Sequence, residues 1–317
     1  MKIAVLDDWQ ENARNFADFA PFEAEHEVMF FSDTLSGQPL IDRLAPCDVL
    51  LVMRERTGFP AEVIEQLPNL KAVFTSGMRN AALDLACFAR RGIIVCGTES
   101  PGHATAELAM SLIGALARQI VPSALSMQQG GWQVATGRDL RGATLGILGL
   151  GRLGSAVASL GKAYGMNVIA YSQNLTEEQC AEQGVTYADK HTFFKTSDFI
   201  SIHLKLSDRV RGLVGAQELA WMKPDAYIVN TSRAPIIDED ALIEALTAGQ
   251  IAGAATDVFN HEPLPQDDRL RDVPNLLLLP HIGYVTAETM RVFYGQTLEA
   301  LAAWLAGEPI RVISQPA

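Results

Sequence analysis

The sequence predicts an α/β protein composed of two doubly wound parallel-sheet domains. Short apolar runs rich in Val and Ile alternate along the chain with longer segments of helical spacing. This alternation occurs in two series, and the second begins at "ATLGILGLG" (143–151). Buried strands that alternate with helices form parallel sheets with helices on both faces, and 317 residues suffice for two such domains.

The first series contains short buried strands with helical segments between and after them. The strands are predicted at 2–7, 48–53, 71–76 and 92–97. Pro, Gly, Asp or Asn bounds each run, as is typical of strand ends. The segment "PAEVIEQL" (60–67) predicts one helix, and "ATAELAMSLIGALARQI" (104–120) predicts a long one.

The second series is followed by a C-terminal helix. Its strands are predicted at 144–148, 167–171, 198–202, 226–230, 252–256 and 276–279. The helix at 287–307 has apolar residues at helical spacing and must bury one face, so we expect it to return to the N-terminal domain. These apolar residues are Met290, Phe293, Leu298, Leu301 and Leu305. We therefore predict one domain of 1–100 plus 285–317 and another of 101–284, with a cleft between them; the alternative is one continuous sheet.

Composition and charge exclude several classes of protein. A net charge of −12 argues against nucleic acid as a partner, because phosphate binding requires a basic surface. The start "MKIAVLDDWQ" resembles neither a signal peptide nor a membrane span, so we expect a cytoplasmic protein without a membrane partner. The cysteines are Cys47, Cys87, Cys96 and Cys180. Their spacing matches no metal or redox motif, so we expect reduced, mostly buried thiols and no metal site.

A glycine motif opens the second series. Gly149, Gly151 and Gly154 fit the pattern G-x-G-x-x-G between an apolar strand and a helix. The first glycine allows a tight turn, the second lets a pyrophosphate approach the backbone, and the third lets the helix pack closely on the strand. In this context the motif predicts a Rossmann domain that binds a dinucleotide. Arg152 and Leu153 lie within the loop, and we expect Arg152 to face the pyrophosphate.

The next strand ends in "VIAYSQN" (168–174), where an acidic residue usually binds the adenosine ribose. Ser172 and Gln173 stand there instead, and they cannot repel a 2′-phosphate. Since no Arg or Lys occurs in 172–179, we predict relaxed use of NAD(P)(H), with NADPH slightly favoured over NADH. The alternative is that NAD(H) binds through these groups and a water molecule.

Polar residues follow three later strands of the second series. They are Thr231, Arg233, Asp257, Glu262 and His281. The carboxyl ends of parallel strands meet at one edge, so these side chains are expected near the nicotinamide. An imidazole at 281 can give a proton to a carbonyl oxygen, and Glu262 can orient it. Arg233 has a planar fork of donors that pairs with a carboxylate. The three residues together predict reduction of a 2-oxo acid.

The chain resembles the D-isomer-specific 2-hydroxyacid dehydrogenases over nearly its whole length. The matching segments are "LPNLKAVFTSG" (67–77), "ATAELAMSLIGALAR" (104–118), "LRGATLGILGLGRLG" (140–154), "RVRGLV" (209–214), "NTSRAPIIDEDAL" (230–242), "DVFNHEPLP" (257–265) and "PHIGYVT" (280–286). The resemblance implies Arg233, Glu262 and His281 as catalytic residues, and Asp257 near the nicotinamide carboxamide. It also implies a flavodoxin-like substrate domain and a homodimer built on the cofactor domains.

Two departures from the family pattern concern the substrate. Ala234 follows the arginine where the family usually has Gly, which is tolerable if the backbone is not left-handed. The loop "SGMRNAALDL" (76–85) also differs, so the substrate itself does not follow from the resemblance. We expect the amides of Ser76, Gly77 and Met78 to bind the substrate carboxylate. Arg54 adds charge there or, equally, forms a surface or interdomain ion pair.

These observations favour an enzyme of the glyoxylate/hydroxypyruvate reductase or 3-phosphoglycerate dehydrogenase kind. The alternative is a dinucleotide-sensing binding or corepressor protein on the same fold. Two further histidines stand near the motifs. We interpret His203 as structural, and the family match favours His281 over His261 as the proton donor.

Overall fold

The computed structural model describes residues 1–314. The chain divides into two compact units. The first consists of Met1–Pro101 together with the chain from Val285 onward, and the second is Gly102–Tyr284. Each unit has its own sheet and its own hydrophobic core.

Strands and helices alternate throughout both units. The strands are β1 (Lys2–Val5), β2 (Glu27–Phe30), β3 (Val49–Val52), β4 (Ala72–Thr75), β5 (Ile94–Gly97), β6 (Thr144–Leu148), β7 (Asn167–Tyr171), β8 (Thr186–Tyr187), β9 (Phe199–Ile202), β10 (Tyr227–Asn230), β11 (Gly253–Thr256), β12 (Leu276–Leu278) and β13 (Val312–Ser314). The helices are α1 (Ala20–Glu23), α2 (Gly37–Leu44), α3 (Ala61–Ile64), α4 (Leu85–Arg90), α5 (His103–Ala117), α6 (Ile120–Gln128), α7 (Arg152–Ala163), α8 (Glu177–Glu182), α9 (Lys190–Thr196), α10 (Ala216–Trp221), α11 (Glu239–Thr247) and α12 (Ala287–Leu305).

The first unit contains a six-stranded sheet in the order β13-β5-β4-β3-β1-β2. Strands β1 to β5 are parallel, and their order is that of a doubly wound flavodoxin-like sheet. Strand β13 is antiparallel to β5, so the parallel sheet that the sequence predicts also has one antiparallel edge strand. Strand β2 was not predicted, because its "EVMF" is too short and too mixed in polarity to resemble the buried strands.

Helix α12 packs on the first unit, as its apolar positions led us to expect. Trp304 makes an edge contact with Phe74 of β4, and Tyr294 stacks on Phe16. Four of the five predicted apolar positions are buried. Leu305 is the exception, because it ends the helix and is 38% exposed.

The second unit contains a seven-stranded, all-parallel sheet in the order β12-β11-β10-β9-β6-β7-β8. The chain starts in the middle at β6, proceeds outward through β7 and β8, and then crosses to β9 on the other side of β6. This is the Rossmann order, and it creates a switch point between β6 and β9. Each of the six predicted strands is present, with bounds that differ from the expected ones by about one residue at most.

Both faces of this sheet are covered, which explains its nearly continuous apolar strands. Helices α5 and α7 cover one face with side chains such as Ile113 and Val157. Helices α9, α10 and α11 cover the other with Phe193, Leu219 and Leu242. The carboxyl-terminal ends of the strands are left for polar residues.

The cysteines, the potential metal ligands and the long helices of the described residues bear on three expectations from the sequence. The four cysteines are free and buried. No group of three or more potential metal ligands occurs within residues 1–314. No single helix in that range has the length and hydropathy of a membrane span, although α5 and α6 together, bent by 64°, pass on length and composition.

Candidate active site

The glycine turn follows β6 and has the geometry that its sequence predicts. Gly149 has φ +100°, and a Cβ there would lie 2.8 Å from the carbonyl oxygen of His203. A Cβ at Gly154 would collide with the carbonyl oxygen of Gly149, so the helix approaches the turn as closely as glycine permits. Nothing lies within 4 Å of the Cβ position of Gly151. That open space is what a pyrophosphate near the backbone requires.

Helix α7 begins at this open space. Its N-cap is Gly151, which has no side chain to accept from the first-turn N–H groups. Those N–H groups and the helix dipole together favour an anion. Leu153 is half-buried in this first turn, whereas Arg152 is exposed and its guanidinium lies against Gly102.

A buried hydroxyl gives independent evidence that the residues fit a dinucleotide. The Oγ1 atom of Thr231, just after β10, is buried and has no hydrogen-bond partner among the described residues. A buried polar atom without a partner costs free energy, so a ligand is expected to satisfy it. Thr231 therefore remains a candidate for contact with the cofactor, and that contact stays a prediction.

The edge that would receive the adenosine ribose contains a residue that the sequence analysis missed. Nη2 of Arg209, in the loop after β9, donates to Oε1 of Gln173 at 3.0 Å and to Oδ1 of Asn174 at 3.2 Å. Local spacing points only to 172–179, which contain no basic residue, but Arg209 lies 36 residues from Gln173. The order of the strands could have identified Arg209, because β7 and β9 flank β6 and the loops that follow them lie at the same edge of the sheet.

His281 and Glu262 form the central pair of the site. Nδ1 of His281 lies 2.6 Å from Oε2 of Glu262, while Oε1 of Glu262 accepts from the amide of Phe259 at 2.8 Å. Burial alone would raise the pKa of Glu262, but the bond and charge of His281, with help from Arg233, hold that pKa below its usual value. The ring of His281 thus has Nδ1 engaged and Nε2 left for a substrate.

Asp257 holds the loop that carries His281. Its buried carboxylate accepts from the amides of Ile282 and Gly283, both at 2.7 Å. Burial raises the pKa of Asp257 to about 6, against the opposing effects of these amides and His281. His281 itself has φ +54°, a left-handed backbone that the loop must maintain. Asp257 is therefore a positioning residue, and its contact with the nicotinamide carboxamide stays a prediction.

Arg233 follows β10 and begins a short 3₁₀ turn. Its Nη1 donates to the carbonyl oxygen of Ser232 at 2.8 Å, and its own carbonyl oxygen accepts from Asn230 at 3.0 Å. These bonds fix the backbone that presents the guanidinium. Ala234 lies in the 3₁₀ turn with a right-handed backbone, so the departure from the family glycine causes no strain.

The residues expected to bind the substrate carboxylate lie in the first unit, where two of their backbone amides already have partners. The amide of Ser76 donates to the carbonyl oxygen of Val52 at 3.2 Å, and the amide of Gly77 donates to Oγ1 of Thr98 at 2.8 Å. Both amides therefore have partners within the fold, and their binding of substrate stays a prediction.

Two residues of that group remain candidates. Met78 is 44% exposed, and its amide is still a candidate for the carboxylate. Arg54 has φ +52° and lies beside Gly77, where its Nη1 is 3.4 Å from the carbonyl oxygen of Ser76. Its Nε is also 3.5 Å from Glu55, so the ion-pair interpretation has support too.

The other histidines lie where the sequence analysis places them. Nε2 of His203 lies 2.8 Å from Oγ of Ser201, and burial lowers the pKa of His203 to about 4. A neutral ring beneath the glycine turn suits a structural role. His261 is exposed, and the carboxylate of Glu262 pairs with His281 instead.

An open glycine turn and a carboxylate-held imidazole, both on the carboxyl edge of a Rossmann sheet, define a dinucleotide-dependent oxidoreductase. The family model described as "D-isomer specific 2-hydroxyacid dehydrogenase, NAD binding domain" matches residues 110–283. The chain belongs to this family, and it is an NAD-dependent oxidoreductase of the 2-hydroxyacid dehydrogenase type.

Individual relatives cover both units. The chain is 36% identical over 290 residues to a glyoxylate reductase of Korarchaeum cryptofilum, which covers 88% of this chain and 86% of that protein. It is 35% identical to a D-3-phosphoglycerate dehydrogenase of Methanocaldococcus jannaschii over 97% of this chain but 58% of that protein. A crystal structure of a putative D-3-phosphoglycerate dehydrogenase from Ralstonia solanacearum superposes with a TM-score of 0.92 at 34% identity, covering 98% and 96% of the two chains.

Proposed function

We propose that this enzyme reduces small 2-oxo acids such as glyoxylate or hydroxypyruvate to 2-hydroxy acids, with His281 as the proton donor. The observation that carries the proposal is the 2.6 Å contact between Nδ1 of His281 and Glu262. A carboxylate at that distance orients the imidazole ring and fixes which nitrogen faces the substrate.

The roles of the residues follow from their chemistry. A nicotinamide dinucleotide held at the glycine turn and by Thr231 would supply the hydride for the carbonyl carbon of the 2-oxo acid. Nε2 of His281 gives its proton to the carbonyl oxygen, so that the carbonyl becomes a hydroxyl group. Arg233 pairs with the substrate carboxylate through its planar fork and polarises the neighbouring carbonyl. Glu262 stabilises the imidazolium until the proton has moved.

The choice of substrate rests on relatives. Besides the glyoxylate reductase, a hydroxypyruvate reductase of Thermotoga maritima is 37% identical over 84% of this chain. The alternative within the same chemistry is oxidation of 3-phosphoglycerate. A panel of glyoxylate, hydroxypyruvate, pyruvate and 3-phosphohydroxypyruvate, each with NADH and with NADPH, distinguishes these substrates by the loss of reduced-nicotinamide absorbance.

The proton donor has its own test. His281→Ala should lower turnover by roughly 10²- to 10⁴-fold, because general acid catalysis contributes that much. Binding of NADPH, followed by its fluorescence, should stay near normal. His261→Ala is the matched control and should retain turnover. Near-normal turnover in His281→Ala would remove the assignment, and a protein that binds NADPH but reduces no member of the panel would favour a dinucleotide-sensing role.

We also propose a homodimer formed through the cofactor domain. Large apolar side chains are exposed on α6 and in the loop after it, including Leu125, Met127 and Trp132, the last 71% exposed. Several large apolar side chains exposed within one segment are typical of a protein interface. Light scattering of the wild type and of a Leu125→Glu, Met127→Glu variant tests the proposal: a dimer is expected for the first and a monomer for the second.

The proposed setting is the cytoplasm, with small molecules as the only ligands. Four free, buried cysteines suit a reducing compartment, and a net charge of −12 disfavours nucleic acid and anionic membranes. For the cofactor we propose a preference for NADPH over NADH, because Ser172 and Gln173 do not repel a 2′-phosphate. Cell fractionation tests the location, and kcat/KM with each cofactor tests the preference.

A further inference from the structure

The side chain of Arg209 contacts the residues after β7 without losing its positive charge. Arg209 donates from one nitrogen, Nη2, to the side-chain oxygens of Gln173 and Asn174. Gln173 returns a bond from its Nε2 to the carbonyl oxygen of Arg209 at 3.3 Å. Both acceptors are neutral amides, so they orient the guanidinium and leave its positive charge intact.

The remaining donors of Arg209 are accessible. Among residues 1–314, hydrogen bonds engage only Nη2 of this side chain, and no carboxylate forms an ion pair with it. The Nε and Nη1 groups therefore retain three N–H donors, and the residue is exposed at the edge of the sheet. Arginine binds phosphate through this fork of donors.

The position of this guanidinium determines what it can bind. In a Rossmann domain the residues at the end of the strand after the glycine motif hold the adenosine ribose. That strand is β7, and Ser172 to Asn174 are the residues directly after it. We propose that Arg209 binds the 2′-phosphate of NADPH and is the residue that sets cofactor preference; this rests on the proposed use of NADPH.

Gln173 and Asn174 are positioning residues in this proposal. An acidic side chain at either position would pair with Arg209 and neutralise it, whereas an amide holds it in place without neutralising it. Ser172 is half-buried at the same strand end and can donate its hydroxyl to the phosphate. The cationic clamp thus comes from the loop after β9 and its orientation comes from the loop after β7.

The test uses binding of nucleotide fragments to the full-length protein. Calorimetry with 2′,5′-ADP and 5′-AMP at neutral pH and fixed ionic strength isolates the 2′-phosphate, because the two ligands otherwise share the adenosine. The wild type should bind 2′,5′-ADP roughly 10- to 100-fold more tightly than 5′-AMP, the range expected of charge-assisted hydrogen bonds.

Two variants and a control assign that difference to Arg209. Arg209→Gln should abolish the preference and leave 5′-AMP binding within about twofold, since the removed contact involves only the phosphate. Gln173→Glu should abolish it too, because it keeps the guanidinium but neutralises it. Arg211→Gln removes the same charge from another exposed residue of this loop and should keep the preference.

Three outcomes would overturn the inference: equal binding of the two ligands by the wild type, an unchanged preference in Arg209→Gln, or an equal weakening of both ligands in that variant. The last would mean that Arg209 stacks on the adenine. Failure of the reductase proposal is separate, because a protein that reduces no 2-oxo acid can still bind 2′,5′-ADP through Arg209.

Discussion

Replacing Glu262 by Gln should lower kcat/KM for the reduction of a 2-oxo acid. The Gln side chain keeps the shape and an oxygen for the amide of Phe259, but it loses the charge that faces His281. Nδ1 of His281 then has only a neutral partner, and a hydrogen bond to a neutral group is weaker than one to a charged group. Because this bond orients the ring that donates the proton, proton transfer to the carbonyl oxygen should slow down.

The size of the loss can be worked out from the contact. The pair is 2.6 Å apart, and the side chains of His281 and Glu262 are only 20% and 27% exposed, so solvent screens the interaction weakly. A hydrogen bond to a charged group contributes about 1.5–3 kcal/mol. At about 1.4 kcal/mol for each factor of ten, this gives a loss of about 10- to 100-fold in kcat/KM.

The measurement is kcat/KM for the best 2-oxo acid at neutral pH, with binding of NADPH as the readout for an intact cofactor domain. Glu244→Gln, an exposed carboxylate of α11, is the matched control and should keep kcat/KM within about twofold of the wild type. A value in Glu262→Gln that equals that of the wild type would refute the reasoning.

Three further changes probe other parts of the second unit. Arg233→Lys should lower kcat/KM by roughly 10- to 100-fold through loss of one charge-assisted bond, while urea unfolding changes by only about 1 kcal/mol; equal efficiency would make Arg233 structural. Ser172→Asp should reduce kcat/KM with NADPH at least about tenfold more than with NADH, by repulsion at the 2′ position; an unchanged ratio of the two values would contradict this. His203 has its pKa lowered by burial from 6.5 to about 4, so its neutral form stabilises the fold above pH 6.5 and that stability is lost as pH falls towards 4. Between pH 7 and pH 5 this loss is about 2 kcal/mol, so the unfolding free energy of the wild type should fall by about that much more than the unfolding free energy of His203→Gln. Equal losses in urea titrations of the two proteins would reject the burial argument.

The sequence determined most of the fold because its strands are buried on both faces. Runs such as "DVLLVM" and "ATLGILG" have no other interpretation between glycines and helical segments. Strands β2, β8 and β13 were missed because each is an edge strand of two to four residues, only partly buried. These three lack the continuous apolar run by which the other strands, including the edge strand β12, were recognised.

Some residues of the candidate site were predictable from the sequence, and others were not. Gly149, Gly154 and the pair Glu262–His281 were predictable, because each lies directly after a strand and its chemistry is local. Arg209 was not predictable by local spacing, because its partners precede it by 35 and 36 residues. The partners of the Ser76 and Gly77 amides within the fold were not predictable either, because a sequence does not show which backbone donors are already engaged.

The left-handed backbone at His281 has a consequence for how this enzyme would change under selection. A side chain at φ +54° costs about 1 kcal/mol relative to glycine, and less for Asn than for most residues. His281→Gly would relieve this cost but would also remove the hydrogen bond to Glu262, which contributes about 1.5–3 kcal/mol, so the exchange should lower stability. Heat resistance and turnover therefore favour the same residue at this position. A library selected for heat resistance alone should keep histidine here, and Asn, which tolerates the same backbone, is a more conservative catalytic knock-out than Ala.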